Sequence, residues 1–253
     1  MCLVVIAHRA HPGYSLIVAG NRDEFHARPS QDAGWWPDKP DILGGRDLQA
    51  GGSWLAVNRN GRFAAVTNFR DADQPSARLR SRGHLITGFL DGDDNPLTYV
   101  AAIDGAAYAG FNLLVGDGDT LAYLCNRGGP ARELSPGIYA VANATLDTPW
   151  PKVERSKAAL RKLLADDSVN ETRLIRLLDD RTKARVCEVE AGGLPFDKAH
   201  ALTAPFVVMQ EYGTRSSSVL IRDCNDALCF SEKRFDASGR SLGQSDFRFR
   251  VTR

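Results

Sequence analysis

The strongest constraint on the fold is a set of tight turns, each lying between two β-type runs. The turn sequences are His11-Pro12-Gly13, Asn60-Gly61 and Asn225-Asp226. Asn-Gly between alternating apolar runs, here 54–59 and 62–69, is the strongest short-range hairpin signal. Only antiparallel strands can be joined by so short a connection. The chain is therefore predicted to build antiparallel sheets from hairpins.

Helical patterns alternate with these hairpins. Ser81 is a predicted N-cap for a helix through about residue 90, and Asn95 for one through about 103. Pro151 opens an amphipathic helix, and 171–178 continues helical. Further strands are predicted at 2–7, 15–19, 111–115, 120–125, 138–143, 217–223 and 227–235 and around 247–251, with a loop over roughly 28–53. The pattern predicts a single α+β domain over 1–253, in which helices cover antiparallel sheets.

Composition narrows the class of protein. The net charge is +1, which gives no electrostatic reason to expect a nucleic-acid partner. No apolar run approaches the roughly 20 residues that span a bilayer, and the opening LVVIA is too short for a signal sequence. Five irregularly spaced cysteines argue for reduced thiols. We therefore expect a cytoplasmic protein without a membrane span, and its oligomeric state stays open.

Cys2 is the residue with the most distinctive chemistry. Removal of Met1 would make it N-terminal, so that one residue carries both a thiol and an α-amine able to act as its base. If the first hairpin turns near residues 11–12, paired positions sum to about 23, and Cys2 faces Asn21. The segment Asn21-Arg22-Asp23-Glu24 would then surround the sulfur. A cation there would lower the pKa of the thiol, and a carboxylate would hold the ammonium.

Several segments together carry a family resemblance. They are NRDE at 21–24, GGSWLAVNRNGRFAAVTNFR at 51–70, SRG at 81–83, ANATLDTPWPKV at 142–153 and YGTRSSSV at 212–219. With these motifs in this order, the chain resembles the NRDE family, whose eukaryotic members are the transport and Golgi organisation proteins. Some members are associated with haem trafficking. The resemblance identifies a family without fixing a reaction.

A more distant resemblance concerns N-terminal-nucleophile hydrolases of the choloylglycine hydrolase and penicillin V acylase group. These begin Met-Cys and carry Arg-Asn-x-Asp after their second strand, which GNRD resembles here. The resemblance implies a four-layer αββα sandwich. It implies catalytic roles for Cys2, Asp23, Asn68, Asn143 and, by position, Arg215. Gly20 stands where that group has arginine; Arg22 is the nearest replacement, although adjacent strand residues point to opposite faces.

We therefore predict a C–N hydrolase or acyltransferase for a small amide with an apolar acyl arm and no cofactor. The residues expected to contact the substrate are Asn21, Arg22, Glu24, Trp54 and Tyr212. The alternative is a non-catalytic protein that carries a hydrophobic ligand such as haem. Its candidate axial ligands are Cys2, His8, His11, His26 and His84. A metal site formed by His8, His11 and His26 with Asp23 or Glu24 is a weaker alternative, because the first two histidines straddle a turn.

Overall fold

The computed structural model describes residues 2–70 and 79–252, which contain thirteen strands and five α-helices. The strands are β1 Leu3–His11, β2 Tyr14–Phe25, β3 Ser30–Trp36, β4 Lys39–Asp47, β5 Leu55–Asn58, β6 Phe63–Asn68, β7 Phe111–Gly116, β8 Leu121–Cys125, β9 Arg132–Glu133, β10 Gly137–Val141, β11 Tyr212–Asp223, β12 Ala227–Phe235 and β13 Ser241–Arg250. The helices are α1 Gly83–Asp91, α2 Pro96–Ala101, α3 Pro151–Ala165, α4 Glu171–Leu178 and α5 Phe196–Ala201.

The strands form two antiparallel sheets. The first has the order β10-β1-β2-β11-β12-β13, and the second has the order β3-β4-β5-β6-β7-β8-β9. Alternate residues of β1 divide between two cores: Val4 and Ile6 pack between the sheets, whereas Leu3 and Val5 pack against α3 and α4. This division follows from the two-residue period of a strand.

A third core completes the layers. Leu85, Ile86 and Phe89 of α1 pack with Val100 of α2 against the outer face of the second sheet. Helices therefore cover both sheets from outside, and the predicted four-layer αββα sandwich is confirmed. No helix of the described residues is long and apolar enough to cross a bilayer.

The predicted loop over 28–53 is wrong, because β3 and β4 form a hairpin there. Its glycines serve close packing rather than chain reversal. A Cβ on Gly44 would lie 2.8 Å from Cβ of Ala56 on the neighbouring strand, and the Trp36 indole donates to the Gly44 carbonyl at 2.9 Å. The glycine and tryptophan content that suggests a loop belongs to a closely packed sheet edge.

Two other predicted details differ. Ser81 does not cap α1, whose N-cap is Arg82, whereas Asn95 caps α2 as predicted by accepting from the Leu97 amide. The first hairpin turns at Pro12-Gly13, and its register pairs Leu3, not Cys2, with Asn21. An irregularity between His8 and His11 shifts the pairing, and Arg9 within it has a positive φ of 46°.

Candidate active site

Cys2 lies immediately before β1, between the ends of two other strands. β1 pairs Leu3 with Asn21 of β2 and Val4 with Val141 of β10. Continuing these registers places Cys2 beside Arg22 on one side and Asn143 on the other. The Cys2 side chain is buried, and Met1, whose removal the N-terminal-nucleophile reading requires, lies outside the described residues.

A pocket of about 100 Å³ opens beside Cys2. Its walls come from the end of β2, the β4–β5 connection, the end of β6 and the start of α1. The lining is mostly polar, with three arginines and three carboxylates, and its larger apolar members are Trp54 and Val66. The sites predicted from sequence that line it are Cys2, Arg22, Asp23, Glu24, Trp54 and Asn68.

Asn21 serves the fold beneath this pocket. Its Nδ2 donates to the carbonyls of Leu178 and Pro205, both at 2.9 Å, and its Oδ1 accepts from Ser217 Oγ at 2.6 Å. Because Asn21 and Asp23 are two residues apart on β2, both point to the helix side of the sheet. Asn21 therefore joins β2 to the end of α4 and to the segment before β11, and it does not line the pocket.

Asp23 is a buried carboxylate held from two sides. Thr214 Oγ1 donates to Asp23 Oδ1 at 2.6 Å, and the Tyr212 hydroxyl donates to the Asp23 carbonyl at 2.9 Å. Burial raises the pKa of Asp23 above its ordinary value, although Lys152, Thr214 and Arg22 each act to lower it. Tyr212 thus contacts the backbone of the site rather than lining its pocket.

Arg22 points to the opposite face, into the pocket. Its Nη2 lies 3.3 Å from Asp47 Oδ2, and its guanidinium stacks 4.4 Å from the Trp54 ring centroid. Nη1 is buried without a hydrogen-bond partner among the described residues. Arg22 shares its face with Gly20, two residues earlier. A Cβ at Gly20 would lie 3.2 Å from both the Leu3 carbonyl and Val4 Cγ2, so a side chain there would require these neighbours to move by a few tenths of an ångström.

The pKa of the Cys2 thiol is raised overall, although the nearby cation Arg22 acts to lower it as expected. Burial raises the pKa of the Cys2 thiol, and the Asp23 carboxylate adds to the rise. A hydrogen bond from the Asp23 backbone and the charge of Arg22 act in the opposite direction, but they are weaker. Desolvation of the thiolate outweighs these contributions. A thiol whose pKa is raised is protonated at neutral pH.

Asn68 and Asn143 are brought together. Asn143 Nδ2 donates to the Asn68 carbonyl at 2.8 Å, and the Asn143 carbonyl accepts from the Arg70 amide at 2.7 Å. Asn143 Oδ1 is buried without a partner among the described residues. The pair links the end of β6 to the end of β10, next to Cys2. One N–H of the Asn143 amide is left for another acceptor.

Arg215 lies apart from the pocket. Its Nη1 donates to the carbonyls of Phe25, His26 and Arg28 at 3.0–3.2 Å. Arg215 lines a neighbouring cavity of about 70 Å³, and Trp54 separates the two because it lines both. Glu24 is engaged at the pocket rim, where it accepts from the Phe25 amide and lies 3.8 Å from Arg28.

The histidines considered as haem or metal ligands are dispersed and engaged elsewhere. His11 accepts from the Gly13 amide, His26 contacts the Met209 carbonyl and His84 the Ala50 carbonyl, at 2.7–3.1 Å. His8 is buried, which lowers its pKa. None lines the Cys2 pocket, and residues 2–70 and 79–252 contain no group of three or more side chains arranged to hold a metal ion.

The sequence reading missed four charged residues. Arg28, Asp47 and Arg82 line the pocket, and Lys152 is buried at the start of α3. The Asp47 carboxylate accepts hydrogen bonds at both oxygens. Arg28 Nε donates to Oδ2 at 2.6 Å, and the Gln49 and Ala50 amides donate to Oδ1 at 3.0 Å. Lys152 lies within the segment ANATLDTPWPKV, directly after Pro151. A lysine in the first turn of a predicted helix is the one feature of the sequence that could have drawn attention to it.

Comparisons with known proteins agree with this architecture. The model of the family "Transport and Golgi organisation 2" matches residues 1–237. The Mus musculus "Transport and Golgi organization 2 homolog" is 33% identical over 264 residues, covering 92% of both chains.

Two solved structures share the fold. A Caenorhabditis elegans N-acylethanolamine-hydrolyzing acid amidase ortholog aligns with a TM-score of 0.51 at 10% identity, over 87% of this chain and 92% of its own. The C2A mutant of conjugated bile acid hydrolase from Clostridium perfringens gives 0.51 at 9% identity, over 100% and 97%. The structural likeness supports the N-terminal-nucleophile type of sandwich, and the sequence matches establish that this chain belongs to the Transport and Golgi organisation 2 family.

Proposed function

We propose that this protein is an N-terminal-cysteine amide hydrolase or acyltransferase, with Cys2 as nucleophile once Met1 is removed. The observation that carries the proposal is the position of Cys2 at the start of β1, at a pocket that also contains Asp23 and Asn68. The names of the two structural neighbours describe hydrolases of an N-acylethanolamine and of a conjugated bile acid. One of them carries a Cys-to-Ala change at its second position.

The reaction follows from the groups at the site. The Cys2 sulfur attacks the substrate carbonyl carbon while the thiol proton passes to the Cys2 α-amine. The resulting ammonium is held by the Asp23 carboxylate. The C–N bond then breaks, and the leaving amine takes that proton, which leaves a thioester on Cys2. Water or another amine attacks the thioester, so that the products are a carboxylic acid or a new amide and the free thiol.

A protonated resting thiol is consistent with this sequence of steps. Because burial raises the pKa of Cys2, a preformed thiolate would be scarce at neutral pH. An α-amine has an ordinary pKa of about 7.7–8.0, so it is partly neutral there and can accept the proton. The proposal therefore assigns activation to the base on the same residue rather than to a neighbouring cation.

We assign Asn143 and Asn68 to the developing negative charge on the carbonyl oxygen. The β1–β10 register places Asn143 beside Cys2, although Asn143 does not line the pocket, and Asn68 lines the pocket wall. A single such donor contributes about 2.7–4 kcal/mol to transition-state stabilisation in a measured enzyme. The bond from Asn143 to the Asn68 carbonyl fixes the position of both residues.

The volume of the pocket, about 100 Å³, supports a small amide as the proposed substrate. Its apolar wall consists mainly of Trp54 and Val66, so a long apolar acyl arm has to leave the pocket toward solvent. Arg22 Nη1 is the buried donor without a described partner, and we propose that it contacts a substrate oxygen. In this role Arg22 takes the place of the arginine that is absent at Gly20, because both residues face the same side of β2.

Release of p-nitroaniline from a series of N-acyl p-nitroanilides tests the proposal. Protein whose intact mass shows loss of Met1 should turn over a short-chain member. The Cys2→Ala variant should be inactive, as should a chain in which an additional residue before Cys2 blocks the amine but keeps the thiol. Cys229→Ala is the matched control, because Cys229 lies outside the pocket and its thiol pKa is raised to about 11.

Two results would contradict the hydrolase reading. One is equal turnover by the protein with a blocked amine. The other is an absence of turnover combined with stoichiometric hemin binding whose absorption spectrum changes in Cys2→Ala, which would favour the carrier function considered above.

A further inference from the structure

Three polar side chains form a buried network in the core between the two sheets. Thr67 of β6 and Asn112 of β7 are each 1% exposed and lie opposite each other in the strand pairing. Tyr123 of β8 is buried beside them among apolar side chains. We call these three residues the inter-sheet network. They lie outside the Cys2 pocket, and the reaction steps above do not use them. Polar groups in such a core cost free energy unless they are hydrogen-bonded.

Each hydrogen bond of the inter-sheet network has a defined direction. The Leu146 amide donates to the Tyr123 hydroxyl at 2.9 Å, and that hydroxyl donates to Asn112 Oδ1 at 2.6 Å. Asn112 Nδ2 donates to Thr67 Oγ1 at 3.2 Å, and Thr67 Oγ1 donates to the Ala142 carbonyl at 2.6 Å. Because a hydroxyl has a single proton, each of the two hydroxyls accepts on one side and donates on the other. These bonds therefore fix the orientation of the Asn112 amide.

The inter-sheet network holds the backbone on both sides of Asn143. Ala142 comes directly before Asn143, and its carbonyl accepts from Thr67. Ala144 comes directly after, and its carbonyl accepts from Asn112 Nδ2 at 2.9 Å. This stretch follows the end of β10, where pairing with β1 stops. The support that β10 no longer receives from its own sheet thus comes from β6 and β7 of the other sheet.

We propose that the inter-sheet network positions the Asn143 amide so that it can donate to the carbonyl oxygen of the substrate. The inference deepens the proposed function and rests on it for its catalytic meaning. A donor of this kind is effective when it is held in advance at the place where negative charge develops. Thr67, Asn112 and Tyr123 are therefore positioning residues, which act on the reaction through Asn143.

Steady-state hydrolysis of the N-acyl p-nitroanilide tests this inference with substitutions that each remove one hydroxyl. Tyr123→Phe removes the donor to Asn112, and Thr67→Val removes the donor to Ala142 while nearly keeping the shape of the side chain. We expect each change to lower kcat about 10- to 100-fold, because a small misplacement of a catalytic group has an effect of that order. KM should stay unchanged, since the affected contact forms in the transition state. Thr67→Ser keeps the hydroxyl and should recover most of the loss.

Tyr99→Phe is the matched control. Tyr99 also donates its hydroxyl to a carbonyl, that of Leu85 at 2.7 Å, but it packs on the outer face of the second sheet and outside the Cys2 pocket. Its replacement should lower the midpoint of urea unfolding about as much as Tyr123→Phe does and leave kcat unchanged. Wild-type kcat in Tyr123→Phe and Thr67→Val, or an equal loss of kcat in Tyr99→Phe, would overturn the inference.

A second measurement does not depend on turnover. The side-chain amide resonances of Asn143 are followed by NMR in protein labelled with nitrogen-15 at asparagine, with Asn143→Asp used for assignment. They should shift in Tyr123→Phe and Thr67→Val and stay in place in Tyr99→Phe. If one of the two network variants does not fold, the other decides, and unmoved resonances in a folded variant would refute the positioning role. A wild type that hydrolyses no member of the series would reject the proposed function, while the resonances still decide whether the network positions Asn143.

Discussion

Replacement of Asn21 by alanine should damage the fold more than its place in the NRDE tetrad suggests. The side chain makes three buried hydrogen bonds, to Leu178, Pro205 and Ser217. A buried hydrogen bond contributes about 1 kcal/mol net, and each partner left unsatisfied costs about 1–3 kcal/mol. The carbonyls of Leu178 and Pro205 would both lose this donor. We therefore expect Asn21→Ala to lower the free energy of unfolding by about 3–5 kcal/mol.

Urea unfolding followed by circular dichroism measures this loss. Asn95→Ala is the matched control, because Asn95 is an exposed N-cap that accepts one bond from the Leu97 amide at 3.0 Å. Loss of such a cap costs about 1 kcal/mol. If Asn21→Ala cost no more than Asn95→Ala, the view that Asn21 joins β2 to the end of α4 would be refuted.

Two further changes test the pocket wall and its charges. A Cβ on Gly45 would overlap the Trp54 ring, so Gly45→Ala should displace the indole from Arg22. We expect a changed tryptophan fluorescence spectrum and a loss of about 1–3 kcal/mol in the free energy of urea unfolding. An unchanged spectrum would contradict this prediction. Burial acts to raise the pKa of Asp47, but hydrogen bonds from Arg28 and the Ala50 amide outweigh it and hold that pKa below its usual value. The stabilisation is therefore present above the unfolded pKa of about 3.9 and is lost as pH falls through the folded pKa. Asp47→Asn should thus lower stability near neutral pH and flatten the acid limb, and parallel curves for variant and wild type would refute the assignment.

Local signals in the sequence predicted the framework well. Asn60-Gly61 lies in the turn between β5 and β6, which pair as expected, Asn95 caps α2, and Pro151 is the first residue of α3. In each case a residue type acts through its own backbone geometry or its nearest neighbours. Such effects do not depend on the rest of the fold, and for that reason they can be read from a single chain.

The details that failed depend on packing between distant segments. The register of the first hairpin is set by a local irregularity that nothing in the apolar pattern marks, and a shift of one residue changes which side chain faces Cys2. Gly44 belongs to a strand because Ala56 packs against it, which only the sheet order reveals. Lys152 of α3 is buried against the Leu202 carbonyl, fifty residues further along the chain. From the sequence alone a site is predicted near Cys2, but Arg28, Asp47 and Arg82, which line its pocket, are not.

The proposed role of Cys2 is tested most directly by a p-nitrophenyl acetate burst with peptide mass analysis. Protein lacking Met1 should release a rapid burst of one equivalent of p-nitrophenol, with the acetyl group recovered on the Cys2 peptide in a quenched sample. Cys2→Ala should show no burst. Acetylation distributed over the exposed Cys187 and Cys224, with Cys2 unmodified, would contradict the proposal that Cys2 is the nucleophile.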